Sequence, residues 1–156
     1  MNLRKVITGG QSGVDRAALD AALDQGLACG GWCPAGRWAE DGAIPGRYPL
    51  AETPDTAPEV RTRRNVEDAD GTLVVILGSW DQGSRATEST ARALGRPVCV
   101  IDMAAMTTGQ ALATISAWIE TEGIDVLNIA GPRESNAPGI HRRAHGLFTM
   151  LFVGLE

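Results

Sequence analysis

The chain has 156 residues, 44% of them hydrophobic, and a net charge of −5, which predicts one domain burying about two-thirds of the surface its unfolded form exposes. Its acidic balance, with a pI near 5.0, leaves no broad basic face for nucleic acid, and no apolar run approaches the ~20 residues that cross a bilayer. The start lacks the apolar core of a signal peptide, and three cysteines suit a reducing compartment better than a disulfide framework. The expectation is a cytoplasmic protein with neither a nucleic-acid nor a membrane partner.

Leu3 to Thr8 predicts a buried strand feeding Gly9-Gly-Gln-Ser-Gly13. Val14 to Gln25 predicts a helix with Arg16, Asp20 and Asp24 as its solvent stripe; Val14, Ala18, Ala21 and Ala22 face inward and Gly26 stops it. Leu27 to Cys33 predicts a short second strand. Pro34 to Pro58 is rich in Pro, Gly and charge without a period, and a loop of that length inside a compact domain is usually functional. Glu59 to Asp68 predicts a polar helix, Gly71 to Leu77 a buried strand bounded by Gly78, and Ser84 to Leu94 a helix stopped by Gly95. Arg96 to Ile101 predicts a strand, Thr108 to Glu122 a helix ending at Gly123, and Ile124 to Ala130 the last strand. Ile140, Ala144, Leu147, Phe148 and Leu151 mark a final amphipathic helix. Continuous apolar strands alternating with helices mean a parallel sheet covered on both faces. The expected fold is α/β: a single Rossmann-like domain over 1–156 with a doubly wound, mainly parallel sheet and helices on both faces.

Ligands of such sheets bind beyond the carboxyl ends of the strands. Three strand ends here run into glycine-bearing loops: Gly9, Gly10, Gln11, Ser12 and Gly13; Gly78 to Ser84, with Gly83 and with Thr87 a turn into the helix; and Gly131 to Ser135, with Arg133, Glu134 and Ser135. The long loop adds Arg37, Glu40 and Asp41. These loops are expected to converge on one crevice. The first predicts an anion cradle, because glycines leave backbone N–H groups uncovered and a helix N-terminus favours negative charge; a tight turn with close helix packing is the alternative. The spacing is not the dinucleotide G-x-G-x-x-G. Asp15 would repel phosphate, so it either fixes the loop or accepts from a ligand donor. Ser84 and Thr87 either cap their helix or join a second oxyanion cradle with Gly83. Arg133 is suited to anions, whereas Arg61, Arg63 and Arg64 suit a solvated face from which one could reach the crevice. Trp32, Trp38 and Trp80 lie in or beside loops, placed either to stack on a flat ligand or to cover the sheet end; Trp118 fits the core. Cys29 and Cys33 lack a second pair for zinc, and His141 and His145 share a helix face without a carboxylate partner nearby in sequence, so no metal site is expected. No Ser–His–Asp arrangement emerges, and no catalytic residue is assigned.

Several stretches together resemble one family. They are Gly9-Gly-Gln-Ser-Gly-Val-Asp-Arg-Ala-Ala-Leu-Asp20, Gly30-Gly-Trp-Cys-Pro-Ala-Gly-Arg-Trp-Ala-Glu-Asp-Gly-Ala-Ile-Pro45, Tyr48 to Thr53, Arg61 to Asn65, and Leu127 to Ser135. The chain resembles the putative molybdenum carrier family over nearly its whole length, close to molybdenum cofactor carrier proteins. That family is part of a Rossmann-like group with cytokinin-activating phosphoribohydrolases and lysine-decarboxylase-like proteins. The resemblance implies binding of the molybdenum cofactor, a phosphorylated pterin, or of a molybdate or phosphate anion, by a homo-oligomer. By loop position Gly9 to Gly13, Gly83, Ser84 and Arg133 to Ser135 would be the contacts. The related hydrolases carry Pro-Gly-Gly-x-Gly-Thr-x-x-Glu with an acid–base glutamate. Here Thr87 stands where that glutamate is expected, and Glu88, one residue later, is turned about 100° around the helix. The expected function is therefore holding a small anionic ligand rather than cleaving it; the alternative is an enzyme or sensor for a nucleotide or NAD derivative, with Glu40 or Glu134 as substitute acids.

Overall fold

The computed structural model describes residues 1–155. In chain order it forms β1 (Lys5–Ile7), α1 (Val14–Gln25), β2 (Ala28–Gly30), β3 (Trp32–Cys33), β4 (Trp38–Ala39), β5 (Gly42–Ala43) and β6 (Ala51–Glu52). There follow α2 (Pro58–Asp68), β7 (Gly71–Ile76), α3 (Gln82–Ala93), β8 (Val98–Asp102), α4 (Thr108–Glu122), β9 (Val126–Ala130) and α5 (Ile140–Val153). Helix ends sit where local chemistry puts them. Gly26 and Gly123 close α1 and α4 in the left-handed conformation that glycine adopts without steric cost. Thr107 and Gln110 form a reciprocal capping box at the start of α4.

The central sheet is wholly parallel, in the order β2-β1-β9-β7-β8. Counted from β7 rather than from the amino terminus, that order becomes 2-1-3-4-5, one of the two common doubly wound orders. The chain thus begins at what would be the fourth strand of an unpermuted sheet. The reversal point of that order, where such sheets open a crevice, falls between β7 and β9.

One face of the sheet packs against α1, α4 and α5 in a cluster that includes Val6, Val14, Leu73, Ile115, Leu127 and Phe148, all buried. On the other face α2 and α3 pack on each other, on β9 and on β7. Thr72 and Asn128 are buried polar residues of neighbouring strands, and they satisfy each other through an Asn128 Nδ2 to Thr72 Oγ1 hydrogen bond of 3.2 Å.

Three sequence expectations need correction. The strand expected from Leu27 to Cys33 is two strands, because Gly31 breaks it at φ +126°; a Cβ there would run into the Thr8 carbonyl. Beyond it Trp32 and Cys33 leave the main sheet and pair with Ala51 and Glu52. The long loop is therefore not bare: it holds β6, the partner of β3, and the antiparallel β4–β5 hairpin, over a second small core of Leu19, Cys33, Ala39, Ile44 and Tyr48. The stripe of Arg16, Asp20 and Asp24 does not simply face solvent. Arg16 is buried, donating to Asp41 at 3.0 and 3.2 Å and to the Gly10 carbonyl. Asp20 accepts from the Tyr48 hydroxyl and contacts His141 Nε2 at 2.9 Å, and Asp24 contacts His145 at 3.3 Å. Each histidine of α5 thus has a carboxylate neighbour, supplied by α1 across the helix interface. Burial, reinforced by Asp20, pushes the Tyr48 phenol up to about 12.

Candidate functional site

The carboxyl ends of β1 and β9 and the loop after β7 open into a cleft of about 910 Å³, walled by α2, α3 and the segment after β3. That volume is within the range of cofactor pockets.

The loop after β1 forms one edge, and its amides are largely spent. Gly10 N–H donates to Thr8 Oγ1 at 3.1 Å, Gln11 N–H to Asp15 Oδ2 at 3.2 Å, Ser12 N–H to Gln11 Oε1 at 3.0 Å and Val14 N–H to the Pro132 carbonyl at 3.2 Å. The expected row of uncovered donors is therefore replaced by an internally bonded turn. Gly13, at φ +81°, is pressed against the loop after β9. A Cβ there would meet the Pro132 carbonyl and lie 2.8 Å from the backbone of Arg133 and Glu134. Glu134 N–H completes the contact by donating to Ser12 Oγ at 3.1 Å.

Glu40 staples three segments. Its carboxylate accepts from the Ser12 hydroxyl and from the hydroxyl and N–H of Ser135, and Arg133 lies 3.8 Å away. Burial pushes this carboxyl up, but the hydrogen bonds from Ser12 and Ser135 and the Arg133 charge outweigh it and hold Glu40 below the ordinary value. Arg37, in the left-handed region at φ 55°, donates to the carbonyls of Ile44, Pro45, Tyr48 and Leu50 at 2.9–3.2 Å. Its fork of donors folds the long segment and does not line the cleft. Between these two anchored residues stands Trp38, 55% exposed and facing the cleft.

Of the residues expected to make the site, Gly9, Gln11, Asp15, Gly83, Thr87 and Arg133 line the cleft. Gly10, Ser12, Gly13, Glu40 and Ser135 lie behind that lining and hold its loops in register. Ser84 is buried beneath the rim: its N–H and hydroxyl both donate to Asp81, the N-cap of α3. Thr87 Oγ1 donates to the Gly83 carbonyl at 3.1 Å; the N-cap of α3 is Asp81, so neither residue caps the helix as the capping alternative expected. Glu134 accepts from the N–H groups of Gly139 and His141 at 2.7 and 2.9 Å and caps α5. Gly78, at φ +82°, donates to Asp102 on the far side of its loop. Trp32 bonds Asp68 and lies under Arg64, while Trp80 lies under Arg85. Trp118 packs partly buried against the main core.

The sequence allowed that one arginine of α2 could reach the crevice, and Arg61 does; the rest of the α2 wall was missed. Arg61 reaches back to donate to the Gly9 carbonyl at 2.9 Å. Asn65, 2% exposed, clamps Trp32 by accepting from its N–H and donating to its carbonyl. Pro58, Arg61, Thr62 and Asn65 all line the cleft at one-turn spacing, a signal hidden because α2 is polar on nearly every face. Asp81, Gln82 and Asn136 were missed as well.

Asp15 is the most unusual group in the cleft. It is 6% exposed, and among the described residues no salt bridge reaches it; one oxygen accepts from Gln11 N–H. The other oxygen has no hydrogen-bond partner among the described residues and is not sealed from the cleft. Burial pushes its carboxyl up to about 6, against the opposing charges of Arg61 and Arg16 and the Gln11 hydrogen bond; the Asp81 charge adds to the rise.

Comparison with known proteins agrees with this architecture. The family described as circularly permutated YpsA SLOG matches residues 6–152. A crystal structure from Syntrophus aciditrophicus SB, named "Putative molybdenum carrier protein", superposes with a TM-score of 0.94 at 39% sequence identity, covering 97% of this chain and 96% of the other. No curated protein matches the chain.

Proposed function

The chain belongs to the circularly permutated YpsA SLOG family, and from that premise we propose that its cleft holds a small phosphorylated heterocycle, with the molybdenum cofactor as the favoured ligand. The observation that carries the reading is the mixed lining. Arg61, Arg133 and the open rim at Gly83 offer positive charge and donors, while Asp15 and Glu59 offer acceptors in the same cleft. A phosphate suits the first set; the N–H groups of a pterin suit the second. The exposed Trp38 supplies an aromatic face. The name of the Syntrophus protein supports a carrier role. A bare tetrahedral molybdate fits less well: it would occupy a small part of about 910 Å³ and would leave carboxylates facing an anion.

Holding rather than cleaving is favoured by the α3 rim. Thr87 offers a hydroxyl already bonded to Gly83, and Glu88 pairs with Arg92 at 3.2 Å instead of lining the cleft. A nucleotide or NAD derivative is the second reading, favoured by the nucleotide-related character of the family and by the same donor and acceptor set.

The test is equilibrium dialysis of the pure protein against the molybdenum cofactor, kept anaerobic, and against molybdate. The cofactor is expected to bind saturably, molybdate at least tenfold more weakly. Ala86→Trp, which fills the cleft from an exposed position on α3, is expected to abolish cofactor binding. Retention of cofactor by both proteins alike, or binding by neither, contradicts the proposal.

A further inference from the structure

A buried carboxylate with an uncommitted oxygen is costly unless something donates to it. Among the acidic residues lining the cleft, Asp81 is occupied by Ser84, and Glu59 is exposed on the first turn of α2. Among the described residues Asp15 alone of these is both buried and free on one oxygen. Trp38 is the opposite case, a large apolar side chain left in solvent. Its backbone is not loose, because Arg37 holds four carbonyls on one side and Glu40 holds Ser12 and Ser135 on the other. Such anchoring leaves an aromatic face positioned before any ligand arrives.

We infer that Asp15 and Trp38 together read the flat ring of the ligand, and that they select a 2-aminopyrimidinone edge, as in pterins and guanine, over adenine. This rests on the cleft being the ligand site. A ring N–H and its neighbouring 2-amino group present two adjacent donors, which a carboxylate accepts. Hypoxanthine presents only the N–H. Adenine places an acceptor nitrogen at that position, which repels the carboxylate. Trp38 stacks on any of these rings and contributes affinity without choosing among them. The choice therefore comes from Asp15.

The test uses GMP, IMP and AMP as probes, with binding followed by quenching of tryptophan fluorescence and checked by calorimetry. The expected order of affinity is GMP, then IMP, then AMP, with GMP roughly ten- to a hundredfold above AMP. In Asp15→Asn the Gln11 N–H can still be accepted, so the loop keeps its brace, but an amide N–H₂ is now offered to the ring. The preference for GMP over AMP is expected to collapse to within about threefold or to reverse, because the ring no longer meets a purely accepting group. Trp38→Leu is expected to weaken all three by a similar factor of roughly ten. Equal affinity of the wild type for GMP and AMP, or an unchanged preference in Asp15→Asn, overturns the inference while leaving the cleft as the binding site. An unchanged affinity in Trp38→Leu overturns the role given to the indole. Failure of all three nucleotides and of a simple pterin to bind overturns the cleft reading itself, and this inference with it.

Discussion

The two glycine loops Gly9–Gly13 and Gly78–Ser84 look alike in sequence, yet they meet opposite surroundings. Around Gly13 the backbone is left-handed and pressed against the loop after β9, and four amides of its turn are bonded inside the protein. Around Gly83 no backbone crowds in: a Cβ would make one tight contact, with the Asp81 side-chain Oδ2 at 3.3 Å, and the residue faces the cleft. The first loop is a clamp between β1 and β9, and the second is an open rim. A glycine after a parallel strand thus marks a need for close approach, but what approaches can be protein as readily as ligand.

The largest effect that could break this contrast comes from alanine at each position. Gly13→Ala is expected to lose more than about 3 kcal/mol, or not to fold, because left-handed strain adds to backbone overlap that a side chain cannot relieve. Gly83→Ala, inside the first turn of α3, is expected to be neutral or to gain up to about 1 kcal/mol from helix propensity. Denaturant unfolding of the two variants decides this. Equal losses would mean that both loops are clamps.

A smaller effect, of the opposite sign, follows from Asp15. Its carboxyl titrates near 6 when folded, against an ordinary 3.8. The folded state therefore binds this proton more tightly than the unfolded chain does. Stability is lost as pH rises through that window and stays at the lower level above it. The groups that face it are Arg61 on α2, Arg16 on α1, the Gln11 amide and Asp81 before α3. Asp15→Asn is expected to be more stable than the wild type by about 1–3 kcal/mol at pH 8, with the difference fading below about pH 4. A variant destabilised at pH 8 would show that Asp15 is mainly a loop brace.

The smallest expected change is at the staple. Glu40→Gln keeps the shape but removes the charge that Ser12, Ser135 and Arg133 surround, and about 1 kcal/mol is expected to be lost at pH 7. Because the Glu40 carboxyl is held below its ordinary 4.5, that advantage of the wild type is present above this value and disappears as acid titrates the group. Thermal unfolding at pH 7 and pH 3 measures both. A gap that persists undiminished at pH 3 would assign the effect to packing instead.

The alternating strands and helices were legible because their signals are local. The apolar run from Gly71 to Leu77, the glycine stops at Gly26 and Gly123 and the amphipathic pattern from Ile140 to Leu151 each follow from a few neighbouring residues. Strand order was not legible, since nothing in β9 itself says that it inserts between β1 and β7. The outward stripe of α1 was misread for the same reason. Arg16, Asp20 and Asp24 look solvated until the loop after β3 and helix α5 bring Asp41, Tyr48 and the two histidines onto them. In the candidate site the loop glycines, Asp15, Thr87 and Arg133 were visible as residues after strand ends. Arg37 and Glu134 were visible too, but their roles were not: whether an arginine meets a ligand or four carbonyls is decided by the fold of a segment without any period. Asp15 carried one useful signal, a carboxylate on the inward line of an otherwise apolar helix face.

The proposed occupant of the cleft beside Asp15, Trp38 and Gly83 is a phosphorylated heterocycle. The most direct test is mass spectrometry, with phosphorus and molybdenum analysis, of what co-purifies with the wild type and with Ala86→Trp. A pterin- or nucleotide-type molecule carrying phosphorus is expected with the wild type, and is expected to be lost from the blocked variant. The same molecule in equal amount with both proteins, or molybdenum bound without any heterocycle, would contradict the proposal.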